Sequence, residues 1–387
     1  MVPSKRLAFI DLLRGWAVIV MIETHVFNAT VLKTISAGAP VDILMFINGL
    51  VAPSFLFASG MAYAVTTRRK LPSYLHFAPP LFKQLGRLLF ILAIGYALHL
   101  PKFNLGQLLA GISEEQWLVF FQADVLQCIA VCLLFLQILL LILRTERRLY
   151  LAVSVISVIV LLVTPVMWGT DFLRVFPAPV AAYMNGLHFS LFPLFPWSVF
   201  LFAGAIAGYL FSEAREGTLS PASPQAAGVL TGRFAGAGIG LLALSLVTMP
   251  LAGLYPTYDY WRFSPGFVLL RLGIVLFLCA LMFWYEQRHG VGPRSPVALM
   301  GRESLLVYAT HLLLIYGNFG AFNFRTWAGQ SFGYAEAATW TVLLLVLMLA
   351  LAYGWDRVRR ADPRVKRWIQ LAVLAVFVGV FLFGPGQ

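Results

Sequence analysis

Charged residues are what this chain has least of. Asp, Glu, Lys and Arg together make up 11% of its 387 residues, where a soluble domain carries roughly a quarter. A chain so poor in charge and 60% hydrophobic, with a mean hydropathy of +0.84, reads as an integral membrane protein. Acidic residues are the scarcer sign, 16 against 28 basic ones, which leaves a formal net charge of +12. That excess does not point to nucleic acid, because the Lys and Arg are parcelled into small clusters between apolar stretches and form no stripe. Cysteine is almost missing. Cys128, Cys132 and Cys279 all lie in apolar stretches, so no disulfide framework is expected. No Cys/His quartet at zinc spacing occurs, and no metal site is expected. A cleavable leader is not expected either, since the first apolar stretch contains Asp11 and Arg14 and no small-residue cleavage site follows it.

What is present is a succession of apolar runs long enough to cross a bilayer. A window of about 19 residues finds eleven, at roughly 7–29, 42–66, 84–100, 117–143, 149–168, 190–211, 234–254, 266–285, 297–317, 335–355 and 365–384. The expected fold is all-α: a polytopic membrane bundle of about eleven helices, read as one domain over residues 1–387. The Ser-, Pro-, Ala- and Gly-rich connection 212–233 is expected to be a loop, or the seam between two helical subdomains. Every second connection is basic, from Lys5 and Arg6 through Arg68, Arg69 and Lys70 to Arg357, Arg359 and Arg360. The positive-inside rule then puts the N-terminus in the cytoplasm and the C-terminus outside. The prolines of FPLFPW (192–197) would delay the start of the sixth span.

Against this background a few polar residues stand out. The first span reads IDLLRGWAVIVMIETHVFN (10–28), and ionisable groups in hydrocarbon are costly enough to need a reason. On a helix, eleven residues separate Arg14 from His25 by three turns plus about 20°, and Asp11 lies about 40° from His25. Those three share a face, while Glu23 points elsewhere. Asp11 and Arg14 at i and i+3 are equally readable as a neutralising pair that orients the helix. The ninth span, MGRESLLVYATHLLLIYG (300–317), places Ser304, Tyr308 and His311 on one helix face. Asp124 and Gln127 in the fourth span, Arg271 in the eighth, Asp42 and Asn48 in the second, and His188 before the sixth are further polar groups that could converge with His25. Two histidines in such company favour a functional cavity over satisfied core residues.

At these residues the chain resembles a family. RLAFIDLLRGWAVIVMIETH (6–25) is similar to the opening helix of the heparan-α-glucosaminide N-acetyltransferase catalytic-domain family and its bacterial relatives, within the transmembrane acyltransferase superfamily. The likeness continues, in the family's order, through VDILMFINGLVAPSFLFASGMAYA (41–64), ADVLQCIAV (123–131), FPLFPWSVFLFAGAIAGYL (192–210), SPGFVLLRLG (264–273) and GRESLLVYATH (301–311). It implies an eleven-helix bundle that transfers an acyl group, usually acetyl from acetyl-CoA, to a sugar hydroxyl or amine across the membrane. The interval from Arg14 to His25 also resembles the bacterial O-acyltransferase branch. Two features depart from the family pattern. The connection 30–41 holds no His, so His25 would supply the imidazole itself. The Leu-Gln-Arg of the fourth span reads Leu126-Gln127-Cys128, so one cation is missing.

Acyl transfer from a thioester needs a base with a pKa near ambient pH to take the acceptor's proton. His25 is the expected base, with an acyl-imidazole as the less favoured variant. His311, Tyr308 or Gln127 would face the oxyanion. Arg14, oriented by Asp11, and Arg271 are the expected donor-binding residues. No cofactor is expected to be held permanently; acetyl-CoA or another acyl-CoA would be a co-substrate. A carbohydrate or glycolipid acceptor and membrane lipid are the expected partners, no nucleic acid is, and analogy leaves a homodimer open. The expected location is a bacterial inner membrane. The rival reading is a proton-coupled transporter that uses Asp11, Arg14, Glu23, His25 and His311 as a relay.

Overall fold

The computed structural model describes residues 7–35, 38–216, 224–317 and 323–384. Among these residues the elements are helices joined by short connections, with no strand beyond a single bridge between Val31 and Phe332. Nine helices are long and apolar enough to cross a membrane, or ten if the bent pair Pro296–Arg302 and Ser304–Tyr316 forms one span. The first helix, Ala8–Thr30, is as long as these but carries Asp11, Arg14 and Glu23 and stands outside that set. Large apolar side chains point outward throughout, Val376 at 66% and Phe383 at 86% exposure among them. In a protein surrounded by lipid such exposure costs nothing, because hydrocarbon is as apolar as the side chains it touches.

Helix starts follow from local chemistry. Ser264, Ser295 and Asp362 are N-caps, each followed by a proline in the first turn, at Pro265, Pro296 and Pro363. Their side-chain oxygens accept from backbone N–H groups that no helical carbonyl can reach, at 2.9 Å for Phe267, 3.5 Å for Ala298 and 2.7 Å for Arg364. Several expected spans are interrupted by such signals. The expected span 117–143 is two helices, Glu114–Phe121 and Val125–Leu143. Asp124 is not inside a helix but caps the second, accepting from Val125 N at 2.6 Å. The expected span 42–66 falls within one candidate span, Ala39–Leu75, whose two helical stretches Ala39–Asn48 and Val51–Leu75 are joined by a two-residue turn. The helix Leu194–Glu216 begins late, with non-helical backbone at Phe195, as the prolines there required. The expected loop 212–233 is largely helical, since Leu194–Glu216 covers its start and Pro224–Val247 its end; residues 217–223 lie outside the described residues.

The helices gather into two compact units interleaved along the chain. One comprises Met1–Leu13, Ala52–Tyr96 and Phe121–Val291; the other comprises Arg14–Val51, Ala97–Phe120 and Gly292–Gln387. In the first unit, rings from four segments form a core: Phe9 lies 5.4 Å from Phe211 and 5.2 Å from Phe283, and Phe234 lies 6.0 Å from Phe211. Glu286 receives the backbone N–H groups of Ala8 and Phe9 at 3.2 and 2.7 Å, a carboxylate set against the positive end of the first helix. Arg68 bonds Glu216 at 2.6 Å, Glu146 at 3.4 Å and Glu213. One of the basic residues that reads as a topology signal therefore also ties three helix ends together.

In the second unit, the helices Pro296–Arg302 and Ser304–Tyr316 meet at 84°. Arg359 bonds Glu303 at 2.9 Å, at that corner, and Asp356 at 2.7 Å. The first helix passes the same element so closely that a Cβ added at Gly15 would stand 1.9 Å from the Val297 carbonyl oxygen. The glycine after Arg14 is therefore a contact point between two backbones.

Candidate active site

The second unit brings His25 and His311 together. Their ring centroids are 5.3 Å apart, with the planes inclined at 47°. The helix Ser304–Tyr316 also carries Tyr308, whose ring stands edge-on to His311 at 5.9 Å, as the spacing of four and three residues requires.

His311 is fully buried, and its Nδ1 lies 2.8 Å from the Val307 carbonyl oxygen. A carbonyl oxygen can only accept, so Nδ1 carries the proton and the neutral ring keeps its lone pair on Nε2. That Nε2 is buried and has no hydrogen-bond partner among the described residues. A neutral His311 can therefore receive a proton or hydrogen bond at Nε2 but cannot donate one there. The oxyanion role weighed for it from the sequence requires the protonated ring.

His25 is held by Tyr316, which is not among the residues that sequence singles out. The Tyr316 hydroxyl donates to the His25 backbone carbonyl at 3.1 Å and stands 3.4 Å from His25 Nδ1. The two rings meet edge-on at 5.6 Å, and the Arg325 guanidinium lies 5.9 Å from the Tyr316 ring centroid. Five residues separate Tyr316 from His311, which turns it off the face shared by Ser304, Tyr308 and His311. A face count could not have selected it; only the length of its side chain brings the hydroxyl to His25.

Glu23 faces different company, as its helical phase required. With its amide turned so that the nitrogen faces these acceptors, Asn48 Nδ2 donates to Glu23 Oε2 at 2.9 Å and lies 3.3 Å from Thr24 Oγ1 and 3.2 Å from the Leu44 carbonyl oxygen. Arg14, half-buried beside Gly15, completes the ionisable residues of the first helix that belong to this unit.

Asp42 and Ser304 also belong to this unit, whereas Asp11, Asp124, Gln127, His188 and Arg271 belong to the other. Asp11 is 5% exposed. Gln127 is fully buried, and a Cβ at Gly95 would meet its Oε1 at 2.7 Å. Arg271 lies along its own helix with the guanidinium 4.0 Å from the Phe267 ring centroid, a cation–π contact within one turn. His188 pairs with Asp171 inside its own connection, Nε2 to Oδ1 at 2.8 Å.

That last pair has a pH signature. The hydrogen bond from His188, with a smaller contribution from the Leu173 N–H, holds the Asp171 carboxyl below the ordinary Asp value. A carboxyl with a depressed folded-state pKa contributes stability above its unfolded value, near 3.9, and that contribution is lost as pH falls through the folded-state value. Melting temperatures in detergent should therefore fall more steeply below about pH 4 in the wild type than in His188→Ala. Identical acid profiles for the two proteins would show that the pair is silent.

Among curated proteins none matches this chain. A sequence model of one family, described as heparan-alpha-glucosaminide N-acetyltransferase, catalytic, matches residues 6–237.

Proposed function

The chain belongs to the heparan-α-glucosaminide N-acetyltransferase catalytic family, and from that premise we propose that it moves an acetyl group from cytoplasmic acetyl-CoA to a sugar or glycan acceptor on the outer side of a bacterial inner membrane. Membership carries membrane acetyltransferase activity in the broad sense. The donor, the acceptor, its side and the membrane are our reading. The observation that supports it at residue level is the imidazole pair, His25 and His311, at 5.3 Å inside apolar helices.

The proposed step is direct. The acceptor hydroxyl or amine loses its proton to the His25 imidazole as its oxygen or nitrogen bonds to the acetyl carbonyl carbon. The carbon–sulfur bond breaks, and the CoA thiolate departs and is protonated, with the His25 imidazolium as the available acid. Tyr308 is our candidate donor to the oxyanion, because the neutral His311 cannot donate at Nε2. Arg14, a fixed cation in the first helix, would hold a CoA phosphate. For Asp11, Gln127 and Arg271 the proposed parts, orientation of Arg14, oxyanion contact and donor binding, rest on their chemistry alone.

The test is turnover. Protein in nanodiscs should release CoA from radiolabelled acetyl-CoA when given amino sugars, glycan fragments or lipid-linked sugars, and the label should appear on the acceptor. A folded preparation that leaves acetyl-CoA intact with every acceptor class overturns the reading. A second prediction separates an acyltransferase from a proton-coupled carrier: CoA at a hundredfold over its Kd should stabilise the protein by about 2.7 kcal/mol. An unchanged melting temperature in saturating CoA would favour the carrier.

A further inference from the structure

Tyr316 makes two contacts to one residue, and its single hydroxyl proton can serve only one of them. The His25 carbonyl, 3.1 Å away, accepts that proton. What remains at the Tyr316 oxygen is a lone pair, and the His25 atom facing it at 3.4 Å is Nδ1. A lone pair can be met only by an N–H, so the arrangement favours the tautomer with the ring proton on Nδ1 and the basic lone pair on Nε2. The edge-on contact between the rings at 5.6 Å limits rotation of the imidazole about its own bond. His311 is locked in the same sense by Val307, so both imidazoles keep Nε2 as the accepting nitrogen.

Resting on the acetyltransferase reading for its chemical meaning, we propose that Tyr316 is a positioning residue that fixes the tautomer of His25, so that Nε2 is the nitrogen that takes the acceptor's proton. Tyr316 touches no reacting atom; it acts through His25. Among the described residues, His311 at 5.3 Å and Tyr316 are acid and base groups close to His25; Arg325 lies against the far ring, and Glu23 sits two residues earlier on the helix, bonded to Asn48.

The experiment has a spectroscopic arm that does not depend on turnover. In protein labelled with 15N-histidine, the His25 resonances are identified among the six histidines by their loss in His25→Asn. The wild type should show His25 protonated on Nδ1, and Tyr316→Phe, which keeps the ring and removes the hydroxyl, should shift population towards the Nε2–H form. A wild-type His25 protonated on Nε2, or a tautomer unmoved in Tyr316→Phe, overturns the proposal whether or not the protein turns over acetyl-CoA. In the kinetic arm, kcat should fall about ten- to a hundredfold, the scale of a misplaced catalytic group, with KM for acetyl-CoA within about twofold and the melting temperature near wild type. Equal losses in kcat and melting temperature with the tautomer intact would mark a structural role only. If Tyr316→Phe does not fold, the wild-type tautomer still decides. Failure of turnover in the wild type would strike the acetyltransferase reading and leave the tautomer result standing.

Discussion

His25→Ala should lower acetyl transfer by about a hundred- to ten-thousandfold, the range that a positioned general base contributes, while leaving a folded protein. The side chain is only half-buried, and its ring packs on His311 and Tyr316, so truncation leaves a small cavity. The Tyr316 hydroxyl loses its Nδ1 contact but keeps its better bond, to the backbone carbonyl of residue 25. A loss in kcat with KM for acetyl-CoA nearly unchanged would mean that the interaction is made only in the transition state. Added imidazole should restore part of the rate, since it can occupy the space left by the ring. The covalent variant is distinguishable: an acyl-imidazole would leave acetyl label on the wild-type protein in the absence of acceptor and none on His25→Ala. Full activity in a folded His25→Ala would sink the assignment of the base. His311→Ala would then become the variant to measure, because its Nε2 is also held as an acceptor.

Much of the helix-face geometry was legible in the sequence, and the reason is geometric. Helical phase is set by the backbone alone, so arithmetic on one turn could place Arg14 and His25 on one face and send Glu23 to another; in the fold Glu23 does have its own partner, Asn48. The same arithmetic put Tyr308 and His311 together, and they are in ring contact. What arithmetic cannot supply is which helix lies opposite. Tyr316 lay hidden because its reach, not its phase, joins it to His25. The tautomer of His311 lay hidden because it depends on whether the ring turns to bond the carbonyl four residues earlier, which sequence does not fix. Helix ends were misread for a related reason. An apolar window averages over the break at residues 122–124, whereas the capping bond of Asp124 decides it. Basic residues were the least informative individually: Arg68 counts as a positive-inside signal, yet its three carboxylate partners come from helix ends that are distant in sequence.

Gly204→Ala should be among the most damaging single methyl additions in the chain's first unit. The helices Val51–Leu75 and Leu194–Glu216 cross so closely that a Cβ at Gly204 would meet the Phe57 carbonyl oxygen at 2.0 Å and its carbon at 2.7 Å. The approach is reciprocal, since a Cβ at Gly60 would meet the Leu201 carbonyl oxygen at 1.9 Å. Both obstacles are backbone, which cannot rotate away as a side chain would, so the helices must separate and give up the van der Waals contact that drives association in lipid. Overpacking typically costs about 1–3 kcal/mol and occasionally more, and a backbone clash on this scale belongs at the upper end. The spacing of the glycines is not the cause. Gly204 and Gly208 form a small-xxx-small pair, but so do Gly228 and Gly232 on Pro224–Val247, where an added Cβ would meet nothing within 4 Å among the described residues. Gly232→Ala should therefore stabilise slightly, by up to about 1 kcal/mol, through the unfolded chain's lost freedom and the better helix former. The pair of variants gives opposite signs for the same chemical change. Melting both in one detergent decides the matter: a Gly204→Ala protein as stable as the wild type would mean that the two helices do not cross on these glycines.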